Sequence, residues 1–162
     1  MSEFMESIPT LWKTVNKWIE TNNIQLPKEN AKEWLLDHKG DYNGYHFWSN
    51  FEIGSLNMLR SPEYRSYFNY LDKNGGFYFE RWGDAPVHSI FVALMLKREE
   101  IHFFKNIGYK HDMYENCPVE SEMNLKLKCY CESDKSVNLG SMTTLSLLRL
   151  IGDPMHEKLY RL

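Results

Sequence analysis

Three residues stand where their neighbours make chemistry possible: Glu52, Asp84 and His111. Glu52 lies in the run Tyr45 to Ile53, YHFWSNFEI, among rings and aliphatic side chains. A carboxylate so placed is open to tuning by desolvation or a nearby cation, and can then act as acid, base or nucleophile. The plain alternative is a glutamate held in a structural ion pair. Asp84 sits in Asn74 to His88, NGGFYFERWGDAPVH, which mixes aromatic rings, both charge signs, two glycines and a proline. Buried strands carry few charges and surface loops few rings, so the mixture suits polar groups held against aromatic walls, as in a binding cleft. A hairpin followed by a capped helix is the alternative. Just ahead of Pro86 and an apolar run, Asp84 also suits the free amides and dipole of a helix start. His111 follows Gly108 and Tyr109 in a polar loop, from which an imidazole can reach a metal or a ligand. Its spacing offers no second ligand close by.

The elements that must position these residues alternate between helix and strand patterns. Ile8, Leu11, Trp12, Val15, Trp18 and Ile19 recur at helical spacing and predict an amphipathic helix whose tryptophans face a core. A shorter helix is expected over Glu29 to Leu36, then a turn through Gly40. Tyr45 to Ile53 alternates well enough for a strand. Ser61 and Pro62 start a helix that Gly75 and Gly76 end. FYFE reads as a strand, Ala85 to Leu96 as a helix, and Ile101 to Phe104 as a short strand that packs His102 inside it. A last apolar helix, Leu145 to Ile151, ends near Gly152.

With 162 residues the chain is long enough for one domain with a hydrophobic core. A formal charge of −3 and the lack of a basic block exclude a nucleic-acid binder, which needs surface to neutralise phosphates. No apolar run reaches the length of a membrane span, and the first residues, MSEFMESIPT, do not form a signal peptide. Cys117, Cys129 and Cys131 are an odd set, compatible with reduced thiols or with one disulfide and a leftover thiol. A zinc site is the weaker reading, because one residue separates Cys129 from Cys131.

Several stretches together resemble the fungal Golgi α-1,2-mannosyltransferases, which extend mannose chains from GDP-mannose. They are SIPTLWKTV from Ser7, YNGYHFWSNFEIG from Tyr42, YFNYLDKNGGFYFERWGDAPVHSI from Tyr67, IHFFKNIGYKH from Ile101 and NCP from Asn116. The resemblance implies an α/β fold: the C-terminal portion of a GT-A type glycosyltransferase, an incomplete mixed sheet flanked by helices. It further implies a Mn2+-dependent transfer from a GDP-mannose donor to a mannosyl glycan acceptor, with the α configuration retained, in the Golgi membrane. Glu52 then resembles the carboxylate that acts as nucleophile or steadies an oxocarbenium-like transition state. Asp84 resembles an acidic residue holding sugar hydroxyls or positioning reacting groups, and His111 resembles the metal-binding histidine.

The departures from the family pattern carry expectations too. The sequence starts after the anchor, stem and nucleotide-binding half of the family, so the acidic partner of His111 at the metal is expected outside it. Tyr45 stands where many members have a cysteine, and the sequence follows the family only to about Cys131. This predicts a partial catalytic domain over 1–131 and a divergent tail over 132–162. The alternative function is a non-catalytic remnant with at most an interaction role.

Overall fold

Apolar residues at every third or fourth position wind Leu11–Thr21 into helix α1, burying Leu11, Val15 and Trp18 completely. The structure is a computed structural model that describes residues 1–104, 106–118, 120–132, 136–137 and 142–153. The chain falls into two units, Met1–Arg98 and Glu99–Leu162.

In the first unit, α1 is followed by a single 3-10 turn, Lys32–Leu35, where a longer helix was expected. That turn is fastened to the last major helix of the unit by the Ala31 amide, which donates to the Ala93 carbonyl at 2.8 Å. After a short helix α2, Leu56–Leu59, comes α3, Pro62–Asn74. Its start is fixed by Ser61, whose hydroxyl accepts from the Tyr64 amide, and its end by Gly75 in the left-handed region at φ 77°. One helical turn, α4, Gly76–Phe79, leads into α5, Asp84–Met95. The core is an aromatic junction of the three long helices. Trp18 meets Tyr67 edge-on at 5.1 Å, and Phe91 of α5 lies 5.3 Å from Tyr67 and 4.8 Å from Tyr64. Trp12 is only half-buried, stacking on Tyr42 instead of entering that core.

Two expected strands of this unit take other forms. FYFE is mostly the helical turn α4, with the Trp82 ring folded back over Gly76 at its start. The Tyr45 to Ile53 segment is a loop. Its amides are satisfied one at a time: Tyr45 by Asn43 Oδ1 at 2.8 Å, His46 by the Met1 carbonyl at 3.1 Å, and Phe47 by Ser89 Oγ at 2.7 Å. Alternation reports two unlike faces, here with Phe47 stacked on Trp34 at 4.7 Å, and does not by itself supply a neighbouring strand.

The second unit holds an antiparallel ribbon of β1, Tyr109–His111, and β2, Tyr114–Asn116, in the register His111↔Tyr114. Asp112 turns the ribbon at φ 53°, a conformation aspartate tolerates. Helix α6, Ser121–Lys126, follows, and α7, Met142–Leu150, buries Leu148 against Phe103, Leu145 and Ile151, ending before Gly152 as expected. Cys117 and Cys131 form a disulfide and Cys129 is a free thiol. Ile101 to Phe104 is not a strand: it has no ladder, and His102 is exposed with its ring edge-on to Phe104 at 4.9 Å. The architecture is therefore mixed α/β and partial, and among the described residues its sheet is this two-stranded ribbon alone.

Candidate functional site

Helix α5 divides its residues by direction. Val87, Ile90, Phe91 and Leu94 are buried in the core, whereas Asp84 and His88, four residues apart, share an accessible face. Over that face runs the Tyr45 to Ile53 loop, tied at Ser49, Glu52 and Phe47. Ser49 hydrogen-bonds the Asp84 carboxylate. His88 Nδ1 lies 2.8 Å from Glu52 Oε1. A carboxylate can only accept, so Nδ1 carries the hydrogen, and in a neutral ring Nε2 is left as an acceptor. The Phe47 amide donates to Ser89, one residue further along α5.

The charges of this cluster are tuned by those contacts. Asp84 is held below the usual carboxylate range, first by the Ser49 hydroxyl, then by its own amide and that of Ala85 at the helix start, and by the nearby His88; partial burial opposes them. Tyr64 of α3 closes one side, its ring 6.2 Å from His88, and its phenol is pushed up by burial and by the Glu52 carboxylate. Glu52 and His88 keep 43% and 30% of their side-chain surface exposed, so a ligand can reach both. Two carboxylates and an imidazole on one accessible face can bind hydroxyls and stabilise a developing positive charge.

The start of α5 is itself braced. Trp82 is buried, with its ring against Gly76, and its indole N–H donates to Glu80 Oε2 at 2.7 Å. Glu80 also accepts from the amide and hydroxyl of Thr10, the residue that caps α1. These hydrogen bonds hold the Glu80 carboxyl low against the opposing effect of burial. The Asn74 to His88 stretch thus joins the starts of two helices and presents Asp84.

Glu52 and Asp84 are brought into one cluster, joined by His88. Residue types at single positions did not reveal Ser49, Tyr64 or His88; the signal for His88 was its place one helical turn after Asp84. His111 belongs to the second unit, exposed at the end of β1 and not in a polar loop. Among the described residues no three of His, Cys, Asp or Glu gather to hold a metal ion. The described residues therefore do not fit a complete manganese site, and no chemical step is derived through the ion. Also among the described residues, no helix is long and apolar enough to cross a membrane.

A family described as glycolipid 2-alpha-mannosyltransferase matches residues 1–147. The chain is 54% identical over 136 residues to glycolipid 2-alpha-mannosyltransferase 1 of Candida albicans, covering 83% of this chain and 32% of that protein. It is 48% identical over 136 residues to alpha-1,2 mannosyltransferase KTR1 of Saccharomyces cerevisiae, covering 83% and 35%. Two solved structures share the fold. The Mn/GDP form of core-mannan synthase A (CmsA/Ktr4) from Aspergillus fumigatus has a TM-score of 0.68 at 43% identity, over 72% of this chain and 34% of that one. The mannosyltransferase Ktr4p of S. cerevisiae in complex with GDP has a TM-score of 0.77 at 37% identity, over 84% and 37%. The chain spans about a third of the length of these relatives. On the match of residues 1–147, it belongs to the glycolipid 2-alpha-mannosyltransferase family.

Proposed function

We propose that the chain forms the catalytic portion of an α-1,2-mannosyltransferase, which moves mannose from GDP-mannose to a mannose-containing glycan and keeps the α configuration. The observation that carries the reading is the accessible Glu52, His88 and Asp84 cluster, in a segment that matches mannosyltransferases at about half of its positions. Glu52 faces the anomeric carbon, steadying positive charge there or attacking it as nucleophile. Asp84, kept ionised by Ser49 and the helix amides, accepts hydrogen bonds from sugar hydroxyls. His111 would offer one imidazole to the Mn2+ that the family resemblance implies, with the remaining ligands supplied from outside the described residues. GDP in two related structures supports the donor class, and the Cys117–Cys131 disulfide favours a secretory compartment such as the Golgi.

The test is transfer of radiolabelled mannose from GDP-mannose to methyl α-mannoside with Mn2+. It compares this chain with a hybrid in which the chain replaces the matching third of the Candida albicans relative. The hybrid is expected to form an α-linked product, and Glu52→Ala to lower kcat about 100-fold or more, the usual cost of losing charge stabilisation at a reacting centre. A folded hybrid without transfer would favour an interaction role without catalysis, and one that transfers but is indifferent to Glu52→Ala would overturn the role given to Glu52.

A further inference from the structure

We propose that His88 is a positioning residue for the transfer, holding Glu52 Oε1 through its Nδ1–H so that the other carboxylate oxygen is presented to the donor sugar. The role rests on the transferase reading above. The observations behind it are geometric. Glu52 lies toward the end of a loop whose ladder contact is the bridge of Tyr45 to Ser2, and is followed by Ile53 with 73% of its surface exposed and by Gly54, so neither following residue clamps it by burial. His88, by contrast, is on a twelve-residue helix whose opposite face is core. A contact of 2.8 Å from the helix to the loop fixes the carboxylate's direction.

Stability does not account for the pair. With 30% and 43% side-chain exposure it is solvated, and pairs of that kind add little to folding. Polar residues flank His88: Glu52 from the loop, Asp84 from one turn earlier on α5, and the ring of Tyr64 from α3. An imidazole is the side chain that can donate to Glu52 through one nitrogen while offering the second to a hydroxyl or to solvent. Groups that orient a reacting residue in this way typically carry a 10- to 100-fold effect.

Two measurements decide it. In the 162-residue chain, ring 15N shifts at pH 8.5 should report the Nδ1–H tautomer, and Glu52→Ala should release the ring toward the Nε2–H form. An identical tautomer in both overturns the pairing. In the hybrid enzyme, His88→Ala should lower kcat about 10- to 100-fold while KM for GDP-mannose stays within about twofold. His88→Asn, whose amide N–H overlays Nδ1–H, should recover most of the rate, and His88→Gln should not. Unchanged kcat in His88→Ala, or equal losses in all three variants, overturns the positioning role. Absence of transfer by the unsubstituted hybrid instead sinks the transferase reading and His88's role with it, while the tautomer measurement still shows whether the pair exists.

Discussion

Replacing Gly76 by alanine tests whether the brace beneath Asp84 works as described. A Cβ at Gly76 would overlap three carbons of the Trp82 indole, Cε2, Cδ2 and Cζ2, far inside contact distance. Backbone strain is not the issue, since Gly76 lies in the regular turn α4 and it is Gly75 that holds the left-handed conformation. The ring must therefore move. Inserting a methyl into a filled site costs about 1–3 kcal/mol. Displacing the indole also breaks its hydrogen bond to the Glu80 carboxylate, worth about 1.5–3 kcal/mol for a charged acceptor. Alanine recovers up to about 1 kcal/mol of helix propensity. The net expectation is a loss of about 1.5–6 kcal/mol, a large share of the ~5–15 kcal/mol available to a domain. Urea unfolding followed by tryptophan fluorescence measures it, and the double variant Gly76→Ala with Trp82→Leu isolates the cause. With a smaller side chain at 82 the added methyl should cost less than about 1 kcal/mol, an interaction typical of touching residues. Equal costs of Gly76→Ala in both backgrounds would refute the contact as the mechanism.

Ser89→Ala removes the acceptor of the Phe47 amide at 2.7 Å and should cost about 1–3 kcal/mol; thermal melting by circular dichroism checks it, and an unchanged midpoint counts against the fastening of the loop to α5. His46 is buried, which lowers its proton affinity, with the chain's amino terminus acting in the same direction. Its folded value lies below the unfolded ~6.5, so its stability contribution is complete above that pH and is lost as pH falls through the folded value. Urea midpoints from pH 8 to 5 should decline less steeply in His46→Gln, and parallel slopes would reject the assignment. Tyr67→Phe should cost about 0.5–1.5 kcal/mol by deleting the hydroxyl's 3.0 Å hydrogen bond to the Val87 carbonyl. Burial raises the Tyr67 phenol, so its contribution is present below about pH 10 and is lost as pH rises toward the folded value. The wild-type chain should lose more stability than Tyr67→Phe between pH 9 and 11, with Tyr42 contributing the same sign in both.

The helices were legible because their signals are local. Ser61 with Pro62, Gly75, and Asp84 ahead of Pro86 each satisfy or release backbone groups within a turn of themselves, and each marks a real boundary. The strands were not legible, because a strand is a relation between segments. Tyr45 to Ile53 has the alternation of a strand, yet its amides go to Asn43, Met1 and Ser89, the last 42 residues away. A similar separation in sequence hid His88, whose partner Glu52 lies 36 residues earlier. Cysteine parity left the pairing open, and only folding brings Cys117 against Cys131 with Cys129 left as a thiol. Glu52 and Asp84 stood out because a charge among apolar neighbours has to be accounted for, and both enter the same cluster.

That cluster cannot be separated from its scaffold, and this changes what its substitutions mean. A loop within a sheet would be held by a ladder of equivalent bonds, each replaceable by its neighbours. Here the loop meets α5 through unlike contacts at Asp84, His88 and Ser89, so losing one shifts the burden to the others. The helix start that sets their height is fixed in turn by Trp82, Glu80 and Thr10, none of which faces the cluster. Two routes therefore reach Glu52: one through the loop at Ser89, one through the register of α5 at Gly76 and Trp82. Both end at the Glu52 to His88 contact, so the effects of Ser89→Ala and Gly76→Ala on that contact should depart from additivity although the residues do not touch a common partner. The Asn74 to His88 stretch is then the bracket that sets where the Glu52 and Asp84 carboxylates stand.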